Sequence, residues 1–414
     1  MRGPIEPGVS PAAGARSGRA CLWRNDGGGW RVRNPALQAV AWTLLVAGAG
    51  CGDATGPPDE PEPITIAATV SETGIRTQSA NEMGRGYQLA VGMVNEMGGI
   101  SGRQVRLVTR DDGSDPATAA RLYEEFIATD SIDALLGPFS TPITEAVVAV
   151  AEVAGWPLIA AMAAAPDVWS DRGRRWSVQM LDQGPARLRG AVELAARHGA
   201  RTVALIYEDS PFPASLARGV RDAAQAHGLT TALDRSYPVG GADHAGLVAA
   251  ARAAGSDLFI GGGYYDDAVA FTQALAAAEY APLMVSLSLG PADPRFGQDV
   301  GDLARCMSGP ASWIPAVQTS GSIADSETFV ERYRQAHGSA PGYHAAGGFG
   351  AVELLAEAIE ATTTAEAEVD PVAVRDYLFS VSTETVLGPY SAGGLVQRIV
   401  HPEAAADAEP CFLR

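Results

Sequence analysis

The chain has 414 residues, 47% of them hydrophobic and 7% aromatic, and a formal net charge of −18. That length suits two domains of ordinary size, and the acidity argues against nucleic acid or an anionic bilayer as partner, since phosphates call for a basic surface. No lysine occurs at all, which removes Schiff-base chemistry, pyridoxal phosphate and a phosphate-loop lysine together.

The N-terminus reads as an address. Arg31 and Arg33 precede the apolar run at 35–50, which ends in small residues and Cys51; basic, apolar, small is the order of an export signal. The run is too short for a comfortable membrane span, which needs about 20 apolar residues. Residues 1–30 make the signal abnormally long, so a true start near Val32 is expected. The acidic, proline-rich segment 52–63 then reads as a tether.

From Ile64 the chain alternates strand and helix. The run Ile64–Val70 is apolar and β-branched and stops at the polar loop Ser71-Glu-Thr-Gly74, as a buried parallel strand does. A helix is predicted over Gly86–Met97, closed by Gly98-Gly99. The strand Gln104–Thr109 exits through Arg110-Asp-Asp-Gly-Ser-Asp into a helix, with Asp115 as N-cap and Pro116 at the first helical position. Ile132–Gly137 closes the βαβαβ unit, and Pro138-Phe-Ser-Thr-Pro142 sits on its carboxyl end, outside which ligands bind in open parallel sheets.

The alternation restarts at Ala200. Strand Thr202–Tyr207 ends in Glu208-Asp-Ser-Pro-Phe212, and a helix over Ser215–His227 follows. Next come a strand near Thr230, a helix over His244–Ala254, and strand Leu258–Gly263 with Tyr264-Tyr-Asp-Asp267 at its end. The helix Ala268–Ala278 and the strand 283–287 complete the unit. Two such halves predict an α/β protein of two Rossmann-like lobes with parallel central sheets, and a ligand cleft between them.

Several motifs occur in an order that resembles the type I periplasmic binding proteins, closest in pattern to the leucine/isoleucine/valine-binding branch that feeds ABC transporters. They are Asn95-Glu-Met-Gly-Gly-Ile-Ser-Gly-Arg103, Asp111-Asp112 with Asp115-Pro116-Ala117, Gly137-Pro138, Gly262-Gly263-Tyr264, Phe329-Val-Glu-Arg-Tyr333 and Val386-Leu-Gly-Pro389. The match covers about 64–390. The resemblance implies a three-segment hinge with crossings near 179–183, 309–313 and 379–382. Lobe one would then be 64–181 plus 314–380, and lobe two 182–313 plus 381–414. It also implies an exported solute-binding subunit working with permease and ATPase subunits. Its only tie to the membrane would be a lipid on Cys51, in a lipobox-like setting that departs from the pattern at Gly48. No cofactor is implied.

The resemblance also places the ligand. Its carboxylate would be held by the loop Phe139-Ser140-Thr141 at a helix start, where free N–H groups favour an anion, and by the loop containing Met162, Ala163 and Ala164. In that second loop Ala164 stands where the family has a hydroxyl. Lobe two would contribute the aromatic Tyr264 and, in the family, an acid for the ligand ammonium. This chain reads Val285-Ser-Leu-Ser-Leu289 there, with Ser288 and no carboxylate. Asp266 or Asp267 either substitutes or only caps the next helix. An unpaired buried ammonium costs several kcal/mol, so the expected ligand is an amino acid or a related small carboxylate, with a non-amino carboxylate, an aromatic acid or an amide as alternatives to the ordinary zwitterion.

Other residues carry two readings. Ser71 and Thr73 either touch ligand or only make a turn. Phe212 and Tyr343 either wall the cleft or belong to the core, and His344 lies beside Tyr343. Asp111-Asp112 reads as a strand-end and capping pair before a catalytic one. Four cysteines, at 21, 51, 306 and 411, lack zinc-type spacing, so no metal is expected; Cys306 and Cys411 either pair or stay as buried thiols. There is no nucleophile elbow, and Gly348-x-Gly350-x-x-Glu353 lacks the third glycine of a dinucleotide fingerprint. A binder is favoured over an enzyme, with a ligand sensor as the alternative to a transport subunit.

Overall fold

The computed structural model describes residues 61–129, 132–169, 174–393 and 396–399. The expected signal, Cys51, Cys411 and most of the tether lie outside these residues.

Five parallel strands form the first sheet, in the order β2-β1-β3-β4-β5. They are β1 Ile64–Val70, β2 Val105–Asp111, β3 Ala134–Leu136, β4 Leu158–Ala160 and β5 Ser177–Gln179. Every residue of β1 is buried, which is why it reads as a β-branched, mostly apolar run interrupted only by Thr65 and Thr69: helices cover both faces. Three helices connect these strands, α1 Thr77–Glu96, α2 Pro116–Ala128 and α3 Thr141–Ala154. Helix α1 begins nine residues before the predicted Gly86, because its first turns bury Ala80, Glu82 and Met83 against the rest of the lobe. Asp115 caps α2, its carboxylate accepting from Thr118 N–H at 2.7 Å, as expected.

After α4 Gly184–Arg187 and α5 Arg189–Arg197 comes a second five-stranded parallel sheet, ordered β10-β9-β8-β6-β7. Its strands are β6 Thr202–Glu208, β7 Thr230–Tyr237, β8 Leu258–Gly262, β9 Met284–Leu287 and β10 Met307–Ser308, and its helices α6 Pro211–Ala226, α7 His244–Ala253, α8 Tyr265–Ala277 and α9 Phe296–Val300. In each sheet the strand order reverses beside the first strand, between β1 and β3 and between β6 and β8. These are the topological switch points, where loops at the carboxyl ends diverge and leave a crevice.

Past β10 the chain returns to the first lobe as α10 Ser326–His337, α11 Tyr343–Thr362 and α12 Pro371–Leu378. Helix α11 crosses α1 closely: a Cβ on Gly86 would lie 2.2 Å from the Ala345 carbonyl oxygen, and one on Gly348 2.2 Å from that of Met83. The antiparallel ribbon β11 Ser382–Thr385, β12 Gly388–Gly393 and β13 Val396–Ile399 follows. Thr383 donates to Glu357, Val386 N–H to Glu353 and Tyr390 to the Leu378 carbonyl. The described part of 381–414 is thus fastened to α11 and α12, with the Thr383 hydroxyl on Glu357 and the Val386 N–H, between β11 and β12, on Glu353. Among the described residues no helix is long and apolar enough to cross a membrane. Cys306 is disulfide-bonded, with its partner outside the described residues.

Candidate ligand-binding cleft

The carboxyl ends of both switch points converge on a small cavity of about 30 Å³. Of the residues singled out from sequence, Phe139, Ser140, Thr141, Met162, Ala164, Phe212, Tyr264 and Tyr343 line it. Leu181, Arg187, Leu289 and His344 complete the lining.

The anion-binding end is the start of α3. Its first turn carries no acidic residue, and Pro142 lies in it, so uncancelled N–H groups face the cavity's rim. Ser140 precedes the helix with φ +77 and ψ 147, and its side chain makes no capping bond. Its hydroxyl is buried and has no hydrogen-bond partner among the described residues. Thr141 Oγ1 accepts from the Ala164 and Ala165 amides at 3.3 and 3.4 Å, which leaves its own proton to donate. The Ala164 position therefore supplies a wall and an amide that orients Thr141, in place of a hydroxyl. Arg187 adds a cation: one nitrogen donates to Ser312 Oγ at 2.8 Å, its Nε has no partner among the described residues, and its guanidinium stands 5.7 Å from the Tyr343 ring.

The apolar end is aromatic and spans both lobes. Phe139 of lobe one meets Tyr264 of lobe two edge-on at 6.3 Å, and Phe212 lies 5.8 Å from Tyr264. His344 packs against Phe139 at 5.2 Å and Tyr343 at 4.0 Å. Burial pushes the Tyr264 phenol up to about 12, with the neighbouring Arg76 opposing.

Four expected residues stand aside. Ser71 donates to Asp112 Oδ1 at 2.5 Å, and the Thr73 hydroxyl donates to Asp111 at 2.7 Å, so both make the turn and neither lines the cavity. Ala163 is buried, with its carbonyl accepting from Gln179. Ser288 exchanges bonds with the N–H and carbonyl of Gly263 at 2.8 and 2.7 Å, so it sets the turn that presents Tyr264. Asp111 and Asp112 are spent on backbone and hydroxyl donors of their own loops; those bonds hold Asp111 below its ordinary range against the opposing effect of burial. Asp267 caps α8 through Tyr264 N–H at 2.9 Å, and Asp266 is raised by burial and then by Asp267.

Two clusters were not legible in the sequence. Arg76, the residue before α1, reaches across the cleft to Glu208 at the end of β6 with 2.8 Å between Nη2 and Oε1, both side chains buried. Glu82 of α1 lies 3.1 Å from His344 Nδ1, and Asp293 of lobe two brings a carboxylate within 4.8 Å of both. Their types and spacing are those of a metal site. Each acid is already engaged, Glu82 by Gly342 N–H and Asp293 by the Arg295 backbone and guanidinium, so the cluster works as a polar network across the lobes. The pairings join residues 132 and more than 200 positions apart, and no local pattern announces them.

Two lobes of opposed parallel sheets closing on a polar and aromatic cleft define a two-lobed solute receptor. Residues 63–408 match the family described as periplasmic binding protein; the chain belongs to that family, and its similarity extends to the Leu/Ile/Val-binding branch. It is 32% identical over 280 residues to Leu/Ile/Val-binding protein homolog 8 of Brucella abortus, a match covering 63% of this chain and 66%, just under two thirds, of that protein. Among solved structures, it is similar to the branched-chain amino acid transporter substrate binding protein LivJ of Streptococcus pneumoniae in complex with isoleucine. The TM-score there is 0.71 at 22% identity, covering 80% of this chain and 92% of that one. A solute binding protein of an ABC transporter from Rhodopseudomonas palustris BisB5, in complex with 3,4-dihydroxybenzoic acid, gives a TM-score of 0.68 at 19% identity, covering 79% and 88%. At such identities the structures establish the fold.

Proposed function

We propose that this protein is the exported solute-binding subunit of an ABC importer, anchored through Cys51, that captures a small carboxylate with an apolar, preferably aromatic, body. The observation that carries the ligand class is the cavity lining. It offers the α3 N-terminus, two hydroxyls and Arg187 to an anion, and aromatic rings to a hydrophobic body, but no acidic side chain to an ammonium. An ammonium desolvated there without a partner costs several kcal/mol, whereas a carboxylate gains charge-assisted bonds.

Binding would work by closure. Ligand touching Thr141 in one lobe and Tyr264 in the other favours the closed arrangement by its differential affinity, and the closed form is what a permease would read. The ligands of the two solved structures, isoleucine and 3,4-dihydroxybenzoic acid, bracket the choice between an amino acid and an aromatic acid. A thermal-shift screen of the mature protein against aliphatic and aromatic carboxylates and the branched-chain amino acids tests it. Benzoate-type acids should raise the melting temperature in proportion to the logarithm of their concentration, and a response to leucine and valine alone overturns the ligand class. Cys306 and Cys411 are proposed to pair; mass spectrometry of a non-reduced digest checks the linked peptides.

A further inference from the structure

Glu208 is the acid that borders the aromatic wall, and its charge is already answered. Its Oε1 receives Arg76 Nη2 at 2.8 Å and the Ser210 hydroxyl at 2.6 Å, and its exposure is only 3%. The Arg76 guanidinium carbon lies over the cavity-lining Tyr264, 3.3 Å from the ring centroid. An acid beside an aromatic face is the chemistry that seats an organic cation. Here the seat is filled from within the chain.

The filling is not a by-product of local structure. Arg76 stands at the N-cap of α1, where a positive charge opposes the helix dipole, and no acid occupies the first turn. Its guanidinium is buried at 7% exposure and needs a counter-charge from another lobe to be tolerated. Of the other acids nearby, Glu82 is committed to Gly342 and His344, Asp293 to Arg295 and Asp267 to the cap of α8, while Asp266 is exposed at the start of α8 and is itself attracted by Arg76.

We infer that Arg76 is the specificity-determining residue of the cleft: it takes as a permanent internal cation the place in which an amine-bearing ligand would set its ammonium, so the receptor selects carboxylates without an α-amino group. This deepens the carboxylate reading and rests on it. To enter, an ammonium must displace Arg76 and leave a guanidinium buried without a partner. The same pair ties lobe one to lobe two, so the closed form does not need a ligand charge at this point.

The test uses a pair of ligands differing only in the amine, 3-phenylpropanoate and phenylalanine, titrated calorimetrically into the mature protein and its variants. Wild type is expected to prefer 3-phenylpropanoate by roughly 100-fold or more in Kd. Arg76→Ala frees Glu208 and should cut that preference by about 10-fold or more, chiefly by gaining phenylalanine; Arg76→Gln, closer in shape, reports the same direction if the alanine variant fails to fold. The gain should vanish in the Arg76→Ala/Glu208→Gln double variant. Three results overturn the inference: wild type binding phenylalanine within about 10-fold of 3-phenylpropanoate, folded Arg76 variants that gain no phenylalanine affinity, or a gain that survives loss of Glu208. Wild type binding no carboxylate, with Arg76→Ala still gaining phenylalanine, would sink the carboxylate reading and leave the role of Arg76 standing.

Discussion

Ser140 carries two costs at once: a positive φ of 77° on a residue with a side chain, and a buried hydroxyl without a partner. Strain of this kind runs to about 1–3 kcal/mol and persists where a site requires it. Ser140→Gly should therefore separate stability from binding, leaving the melting temperature unchanged or higher while carboxylate affinity falls roughly tenfold, about 1.4 kcal/mol. Equal losses in both, by calorimetry and titration, would assign Ser140 to the scaffold alone. Glu353 makes a second prediction. Burial lifts its carboxyl from 4.5 to about 7, against three backbone N–H donors that pull it down. A folded-state value above the unfolded one means that the native state binds the proton more tightly. Its stabilising contribution is therefore present below about pH 4.5 and is lost as pH rises towards 7. Melting curves of wild type and Glu353→Gln across that window should diverge, the wild type losing more stability with rising pH. At this scale Phe139, Ser140, Thr141 and Tyr264 were readable, because strand ends and helix starts carry local signals. Arg187, Arg76 and Glu208 were not, since nothing near them in sequence shows which partner the fold brings.

Among the elements, α1 and α11 cross with almost no room between their backbones. A methyl group on Gly86 would meet the Ala345 carbonyl oxygen at 2.2 Å and the Phe349 nitrogen at 2.9 Å, both backbone atoms that cannot rotate aside. Gly86→Ala should cost about 1–3 kcal/mol by forcing the helices apart, read as a drop in melting temperature. Gly92→Ala on the same helix, where nothing lies within 4 Å, should be neutral or stabilising by up to about 1 kcal/mol. Equal effects would mean that α1 and α11 tolerate a methyl group at their crossing. The parallel strands were legible from mostly apolar, β-branched runs such as Ile64–Val70, and α2 from Asp115-Pro116. The start of α1 was missed because Thr77–Arg85 mixes polar residues with Ala80 and Met83, so the apolar period emerges only further on. The anchoring of the ribbon after Ser382 was not legible, because Glu353 and Glu357 meet it only through tertiary contact.

For the molecule as a whole, the two sheets and the cleft at their switch points followed from alternation alone, and the ordered motifs gave the family. What alternation does not encode is the charge balance of the closed cleft. There Arg76 answers Glu208 within the protein, and Arg187 and the α3 N-terminus remain for the ligand. The scaffold is thus similar to that of amino-acid-binding proteins, whereas the cargo proposed for it lacks an ammonium. Isothermal titration of the mature protein with benzoate and with leucine tests that separation most directly. One-to-one binding of benzoate, with leucine silent at the same concentrations, is the result predicted. A leucine isotherm of normal affinity with no heat from benzoate would contradict it.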